Sequence, residues 1–335
     1  MIKLGVIYGG VSTEHDVSEM SAKSVIENLN KQKYEIHEIY INEYGKWYEI
    51  KDGEQEEIYN VLWTLKELDV VFPVLHGLGG EDGTIQGMLE MLKVPYVGCG
   101  VLASSVGMDK AYTKIIFEKA GISQTPYIYI RKRDNEYVII KENFDEEEFK
   151  VEKIVEKLKF PIFVKPSNSG SSVGVKKATN KEELKIAIEN AGQYDNKILI
   201  EQGVNAREVE CAILEGKEVE ASTVGEILSA EDFYSFDAKY NIPESKTVIP
   251  AEISKEQVEQ IRKLAIKAFK AIDGKGLARV DFFVEKETNK IYINEINTMP
   301  GFTQISMYPK LFEAVGIKYP ELLDRLIMLS LEEKN

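Results

Sequence analysis

The stretch LARVDFFVEKETNKIYINEINTMPGFT, residues 277–303, decides the fold. Two runs rich in β-branched and aromatic residues, 278–284 and 290–296, flank a polar connection at Glu287, Thr288 and Asn289. That pattern predicts an antiparallel hairpin. Side chains alternate along a strand, so Arg279 and Asp281 share one face of the first strand, and Glu295 and Asn297 share one face of the second. Three oxygen donors and one guanidinium then converge on one patch. Hard oxygen donors of this kind suit Mg²⁺, which binds through a few carboxylates and fills its shell with phosphate oxygens and water. A solvent-exposed, salt-bridged hairpin is the competing reading. Two features argue against it: the polar residues interrupt otherwise apolar strands, and the turn Met299-Pro300-Gly301 follows at once, with backbone free to approach a ligand.

Working outward, the whole chain has the composition of an ordinary globular protein. Its 335 residues allow two or three domains with real cores. No run of about 18 apolar residues occurs, so no membrane span is expected. The N-terminal MIKLGVIYGG goes directly into a strand pattern, and a cytoplasmic location without a cleaved signal is the expectation. Cys99 and Cys211 lie far apart and make no metal or redox spacing. A net charge of −14 argues against nucleic acid as the main partner. With only three histidines, a multi-histidine metal site is not expected.

Residues 1–104 alternate strands (4–8, 34–41, 70–75) with helices (17–29, 83–92), the pattern of an α/β domain on a parallel sheet. Ligands bind such sheets beyond the carboxyl ends of strands. The loops GGVSTEHDVS (9–18) and HGLGGEDG (76–83) fall there, carrying Glu14, His15 and His76. His15 reads equally as a capping residue, and His76 as a structural histidine that positions its glycine-rich loop. Residues 105–202 form a second unit, with a helix over 109–120 and a strand over 126–130. Its charged stretch 131–159 ends in an amphipathic surface helix within 146–159. Then comes PIFVKPSNSGSSVGV (161–175): a strand ending at Lys165, a Ser/Gly loop, and a strand beginning near Val173. The loop is not a Walker motif, but its N–H and hydroxyl groups can cradle phosphate. A further strand over 198–201 ends at Glu201. Residues 203–335 begin with strands and include a polar, aromatic segment, 232–247, with the character of a mobile loop. Helices over 255–272 and 320–330 enclose the hairpin.

Taken together, GGVSTEHDVS, HGLGGEDGTIQG, MDK (108–110), FVKPSNSGSSVGV, FYSFDAKY, ARVDFF and NEINTMPGFTQISMYP resemble the D-alanine–D-alanine ligases of the ATP-grasp superfamily, over essentially the whole chain. The resemblance implies an α/β fold, α+β in part, of three domains: an N-terminal α/β domain (1–104), a central ATP-grasp domain (105–202) and a C-terminal ATP-grasp domain (203–335) with a lid loop at 232–247. It implies ATP and two Mg²⁺ ions, with Mn²⁺ as a substitute, small-molecule substrates and a homodimer. It also implies a reaction in which one D-alanine carboxylate takes the γ-phosphate of ATP and the amine of a second D-alanine displaces it. Position by position, the family's roles fall on residues of this chain. Lys110, Lys165, Ser172 and Lys239 would hold ATP phosphates; Glu201 and Glu208 the adenine amino group and ribose; Phe233 would stack near the base. Asp281, Glu295 and Asn297 would hold the metals. Glu14 would meet the first D-alanine's ammonium, with His76 beside it, and Arg279 with the Gly301 N–H would stabilise the oxyanion. Ser306 and Met307 would receive the second carboxylate, and Tyr240, bonded to Ser171 and Glu14, would fix the closed lid. Ligases that join D-lactate carry a histidine where Tyr240 stands, which favours alanine here; D-alanine–D-serine ligation and other carboxylate–amine ligations are the alternatives. Segment 131–159 matches no motif of the family.

If Tyr240, Ser171 and Glu14 act as one unit, the losses caused by Tyr240→Phe and Ser171→Ala should not add in free energy. Weaker closure lets water reach an acyl phosphate, so Tyr240→Phe should raise the ratio of ADP formed to dipeptide formed above one. A ratio fixed at one, with the two losses simply multiplying, contradicts the reading.

Overall fold

The computed structural model describes residues 1–134, 136–228 and 246–332. Three sheets organise them. The first holds β1 (Ile2–Gly9), β2 (Tyr34–Ile41), β3 (Trp47–Lys51), β4 (Glu54–Glu57) and β5 (Val70–Pro73) in the order β4-β3-β2-β1-β5. β1 is parallel to both β2 and β5, as the alternating pattern requires. The polar hairpin β3–β4, absent from the sequence reading, continues the sheet in antiparallel fashion, so the sheet is mixed. Helix α1 (His15–Asn28) follows β1 directly. Ser18 at its start accepts from the Gly9 N–H at 2.8 Å and donates to the Val74 carbonyl at 2.5 Å. One hydroxyl thus ties the ends of β1 and β5 together, and the loops after both strands open on the same side.

Helices α2 (Val61–Lys66), α3 (Thr84–Leu92) and α4 (Val101–Met108) lead to α5 (Lys110–Lys119). The N-cap of α5, Asp109, accepts from the Tyr112 N–H at 3.3 Å and from the Ser167 hydroxyl at 2.5 Å, and pairs with Lys197. A cap is worth about 1 kcal/mol to a helix; this one also pins the start of α5 to the second sheet. That sheet runs β10-β9-β11-β6-β7-β8, with β6 Tyr127–Arg133, β7 Glu136–Ile140, β8 Glu146–Glu148, β9 Ile162–Pro166, β10 Lys176–Ala178 and β11 Lys197–Gln202. Between its strands lie α6 (Val151–Lys157) and α7 (Lys181–Ala191), the latter capped by Asn180, which accepts from the Glu183 N–H.

Two sequence expectations change here. The charged stretch is not one surface helix: Glu146–Glu148 pairs with β7 as a short edge strand, and only Val151–Lys157 is helical, burying Val151 and Ile154. A charged strand at a sheet edge discourages pairing with other chains, so its composition reads as solvated helix while its place is an edge. The strand after the Ser/Gly loop begins at Lys176 rather than near Val173, because Ser171 and Ser172 take left-handed φ values of 45° and 61° and extend the turn.

The third sheet runs β14-β13-β12-β15-β16 and is antiparallel throughout: β12 Ala206–Glu215, β13 Val219–Leu228, β14 Lys246–Val248, β15 Leu277–Glu285 and β16 Ile291–Asn297. The expected hairpin is β15–β16. Its register sets Asp281 opposite Glu295 and Arg279 opposite Asn297, with a bulge just beyond Asp281. The Lys255–Ala271 helix, opened by a Ser254–Gln257 capping box, covers the sheet. Helices Met307–Glu313 and Tyr319–Glu332 turn back to the first sheet, so one core combines Leu4, Phe72 and Val97 with Leu277, Phe302 and Leu326.

Phe302 is the centre of that join. It is fully buried and meets Phe72 edge-on at 5.3 Å, Tyr308 at 5.4 Å and Tyr319 stacked at 6.4 Å. Its N–H donates to the Ser21 hydroxyl and its carbonyl accepts from the Tyr319 hydroxyl at 2.6 Å. Phe302→Ala should therefore cost about 3–5 kcal/mol of stability, and Phe302→Leu much less. Chemical denaturation checks this; a loss below about 1 kcal/mol for Phe302→Ala would show that the first and third sheets hold together by other contacts.

Candidate functional site

A cavity of about 620 Å³ opens where the three sheets meet, within the size range of small-molecule sites. The first sheet contributes the loops after β1 and β5. Glu14, buried at 7% exposure, precedes α1 and accepts a short hydrogen bond from the Ser171 hydroxyl of the second sheet's loop. Two glycines make that approach feasible. A Cβ on Gly170 would stand 2.3 Å from Glu14 Oε2, and one on Gly77, at φ +74°, would stand 2.6 Å from the same atom. His76 reaches the cavity wall, but both of its ring nitrogens are engaged: Nδ1 donates to the Met299 carbonyl at 3.1 Å, and Nε2 lies 3.0 Å from the Ser21 hydroxyl. It joins the first sheet's loop to the turn after the hairpin, which accounts for its burial. His15 is spent on the Gly10 carbonyl and Tyr40, away from the cavity lining.

The second sheet contributes lysines. Lys110, first residue of α5, donates to the Ser169 carbonyl at 2.6 Å and stands 3.9 Å from Glu295 Oε2 of the third sheet. Lys165 on β9 pairs with Glu201 on β11 at 2.6 Å and donates to Asn294 Oδ1 at 3.4 Å. Glu201 is only 4% exposed and is held on its other oxygen by Lys114 at 2.6 Å and by the Thr125 hydroxyl at 3.0 Å. Burial alone would raise the Glu201 pKa; the two ammonium charges outweigh it and keep the carboxyl well below the usual range. Burial likewise opposes charge on Lys165, yet Glu201 outweighs it and the lysine's pKa rises. Lys114 is lowered, because its desolvation exceeds what Glu201 returns.

From the third sheet, Arg279 sends Nε and Nη2 to the two oxygens of Asp281 at 2.8 and 2.7 Å, a bidentate pairing, with Glu210 Oε2 3.0 Å from Nε. Desolvation works against the guanidinium charge, but Asp281 and Glu210 overcome it and hold its pKa far above the ordinary value. Asn297 accepts from the Met299 N–H at 3.2 Å. Among the described residues no three His, Cys, Asp or Glu side chains converge as a ready-made metal centre. The donor chemistry still fits a hard cation that brings phosphate oxygens with it: the Asp281 and Glu295 carboxylates pair in register, and the Asn297 amide lies two residues beyond Glu295 on the same strand. Beyond the hairpin, Ser306 receives the Thr303 N–H at 3.0 Å, and a Cβ on Gly301 would press to 2.8 Å of its hydroxyl.

Of the residues singled out in the sequence, the structure brings Glu14, His76, Lys110, Lys165, Ser171, Ser172, Glu201, Glu208, Arg279, Asp281, Glu295, Asn297, Gly301, Ser306 and Met307 to this one cavity. Phe233, Lys239 and Tyr240 lie outside the described residues. Lys114, Thr125, Glu210 and Asn294 take part without having been singled out. Lys114 follows Lys110 by one helical turn and Glu210 follows Glu208 by one strand period, so spacing alone carried a signal for those two. Asn294 faces the cavity because of the bulge between β15 and β16, which no spacing rule anticipates.

Comparison with known proteins agrees with this geometry. A family model described as D-ala D-ala ligase C-terminus matches residues 116–328, and one described as D-ala D-ala ligase N-terminus matches 3–67 and 53–99. A D-alanine–D-alanine ligase of Acetivibrio thermocellus is 51% identical over 98% of this chain and 96% of its own length. The solved D-alanine–D-alanine ligase of Coxiella burnetii superposes with a TM-score of 0.85 at 34% identity, covering 99% of this chain and 94% of that one. The VanG D-Ala:D-Ser ligase of Enterococcus faecalis gives a TM-score of 0.85 at 34% identity, covering 98% and 99%. The fold is the ATP grasp, and the chain belongs to the D-alanine–D-alanine ligase family.

Proposed function

We propose that this enzyme joins two D-alanine molecules at the expense of ATP, through an acyl phosphate, to supply the dipeptide used in peptidoglycan precursors. One observation carries the reading within the site: Lys110, at the start of α5 beside the second sheet, approaches Glu295 of the third sheet to 3.9 Å across the cavity. A phosphate-binding cation and a metal-binding carboxylate so opposed form the two sides that a nucleotide triphosphate tail would enter between. Lys110, Lys165 and the loop around Ser171 and Ser172 hold phosphate oxygens, the lysines as point charges and the loop as a nest. Glu201 accepts the adenine amino group and Glu208 the ribose hydroxyls. Asp281, Glu295 and Asn297 would hold two Mg²⁺ ions, which Mn²⁺ could replace; when bound, such ions neutralise charge on the transferring phosphoryl group.

Glu14 receives the ammonium of the first D-alanine, with Ser171 holding the carboxylate in place. That substrate's carboxylate oxygen bonds to the γ-phosphorus as the bond to the β–γ bridging oxygen breaks. The second amine then attacks the acyl carbonyl, and the tetrahedral intermediate collapses by breaking the bond to the phosphate oxygen, which leaves as inorganic phosphate while the amine proton passes to solvent. Arg279 spends its Nε and Nη2 edge on Asp281, which fixes the plane of the guanidinium and leaves the Nη1 edge for the oxyanion beside the Gly301 N–H. Ser306 and Met307 receive the second carboxylate. The domain organisation we adopt divides the chain at about residues 104 and 202.

The second amino acid separates this reading from its nearest alternative, since a D-Ala:D-Ser ligase is as similar in structure as a D-alanine–D-alanine ligase. ADP release should be fastest with D-alanine as acceptor, slower with D-serine and absent with D-lactate. Equal or faster turnover with D-serine would move the assignment. For the oxyanion, Arg279→Lys keeps the charge but loses the planar fork, and kcat should fall at least about 100-fold. A change confined to the KM for ATP would instead make Arg279 a phosphate ligand.

A further inference from the structure

Glu201 lies between two ammonium groups, and they differ in where they face. Lys165 lines the cavity. Lys114 stands behind Glu201 on α5, at 2% exposure, outside the cavity lining. Each takes one carboxylate oxygen at 2.6 Å. The Lys114 ammonium lies over the Tyr127 ring at 5.2 Å and, despite its short contact with Glu201, makes no well-directed hydrogen bond. Two ammonium groups therefore flank one buried carboxylate at contact distance, with Glu295 acting on both from further away. That is an expensive arrangement for stability alone, because a single lysine would already balance Glu201.

We propose that Lys114 is a positioning residue for nucleotide-base recognition, acting through Glu201; the inference rests on the reading of Glu201 as acceptor of the adenine amino group. When phosphate arrives, Lys165 is the lysine free to turn toward it. Glu201 then loses one of its two counter-charges. A buried carboxyl left alone takes up a proton, and a protonated carboxyl no longer presents two acceptor oxygens to an amino group. Lys114 prevents this. It is enclosed, it sits one helical turn from Lys110, and the Asp109 cap that pins α5 to the second sheet fixes its position. Thr125 holds the same Glu201 oxygen from the side and limits its rotation.

The test uses ADP and inosine diphosphate with Mg²⁺, bound without turnover and measured by calorimetry. Inosine has an oxygen where adenine has its amino group. The intact enzyme should bind ADP at least about tenfold more tightly than inosine diphosphate, the scale of a hydrogen bond to a charged acceptor. Lys114→Met should bring that ratio close to one, mainly by weakening ADP, while the thermal midpoint stays equal or rises because the remaining Lys165–Glu201 pair is balanced. Lys114→Gln, similar in length but uncharged, should behave alike and serves if the methionine variant misfolds. A variant that keeps the wild-type ratio overturns the inference about Lys114 alone. An intact enzyme with no preference overturns the Glu201 reading and this inference with it. Unfolding of both variants makes Lys114 a structural residue and also overturns the proposal.

Discussion

Charge that has been removed from water must be balanced where it stands, and the active-site cleft of this enzyme is arranged by that requirement. Arg279 is held between Asp281 and Glu210 on the third sheet, and Glu201 of the second sheet is held between Lys165 and Lys114 of α5. Lys110 and Glu295 face each other between the two sheets. Removing the central member of either set, Arg279 or Glu201, leaves uncompensated buried charge, which costs far more than a surface ion pair contributes. The sheets are thereby held in a geometry that already suits a polyanion with its counter-ions. Glu14 and Ser171 extend the same logic to the first sheet, across a gap that Gly77 and Gly170 leave open.

The rigid parts of the molecule serve to fix these charges. Ser18 ties the ends of β1 and β5, so the loops carrying Glu14 and His76 emerge together. Asp109 anchors the helix that carries Lys110 and Lys114. Phe302, buried among Phe72, Tyr308 and Tyr319, holds the turn after the hairpin against the first sheet. His76 adds a polar link to that turn through the Met299 carbonyl, so its contribution to the site is one of position.

Much of this was legible in the sequence, and the reasons are specific. Strand alternation has a period of two, so Arg279, Asp281, Glu295 and Asn297 could be assigned a common face before any coordinates. The loops with Glu14 and Ser171 were identifiable because they fall at strand ends and carry glycine. What escaped notice depends on how sheets stack or bend. Asn294 reaches the cavity through a bulge. Thr125 matters because of a neighbour far away in sequence, Glu201. Glu146–Glu148 has the composition of a solvated helix, but its place at a sheet edge makes it a strand. β4, with all four of its residues charged or polar and exposed, offered no apolar pattern to read.

The central claim is that this cleft phosphorylates a carboxylate before it joins it to an amine. Transfer of oxygen tests that claim most directly. D-alanine labelled with 18O in its carboxylate should deliver one labelled oxygen to each inorganic phosphate released during dipeptide synthesis, because the oxygen that attacks phosphorus leaves with it. Phosphate free of label, or label appearing in AMP, would contradict the account.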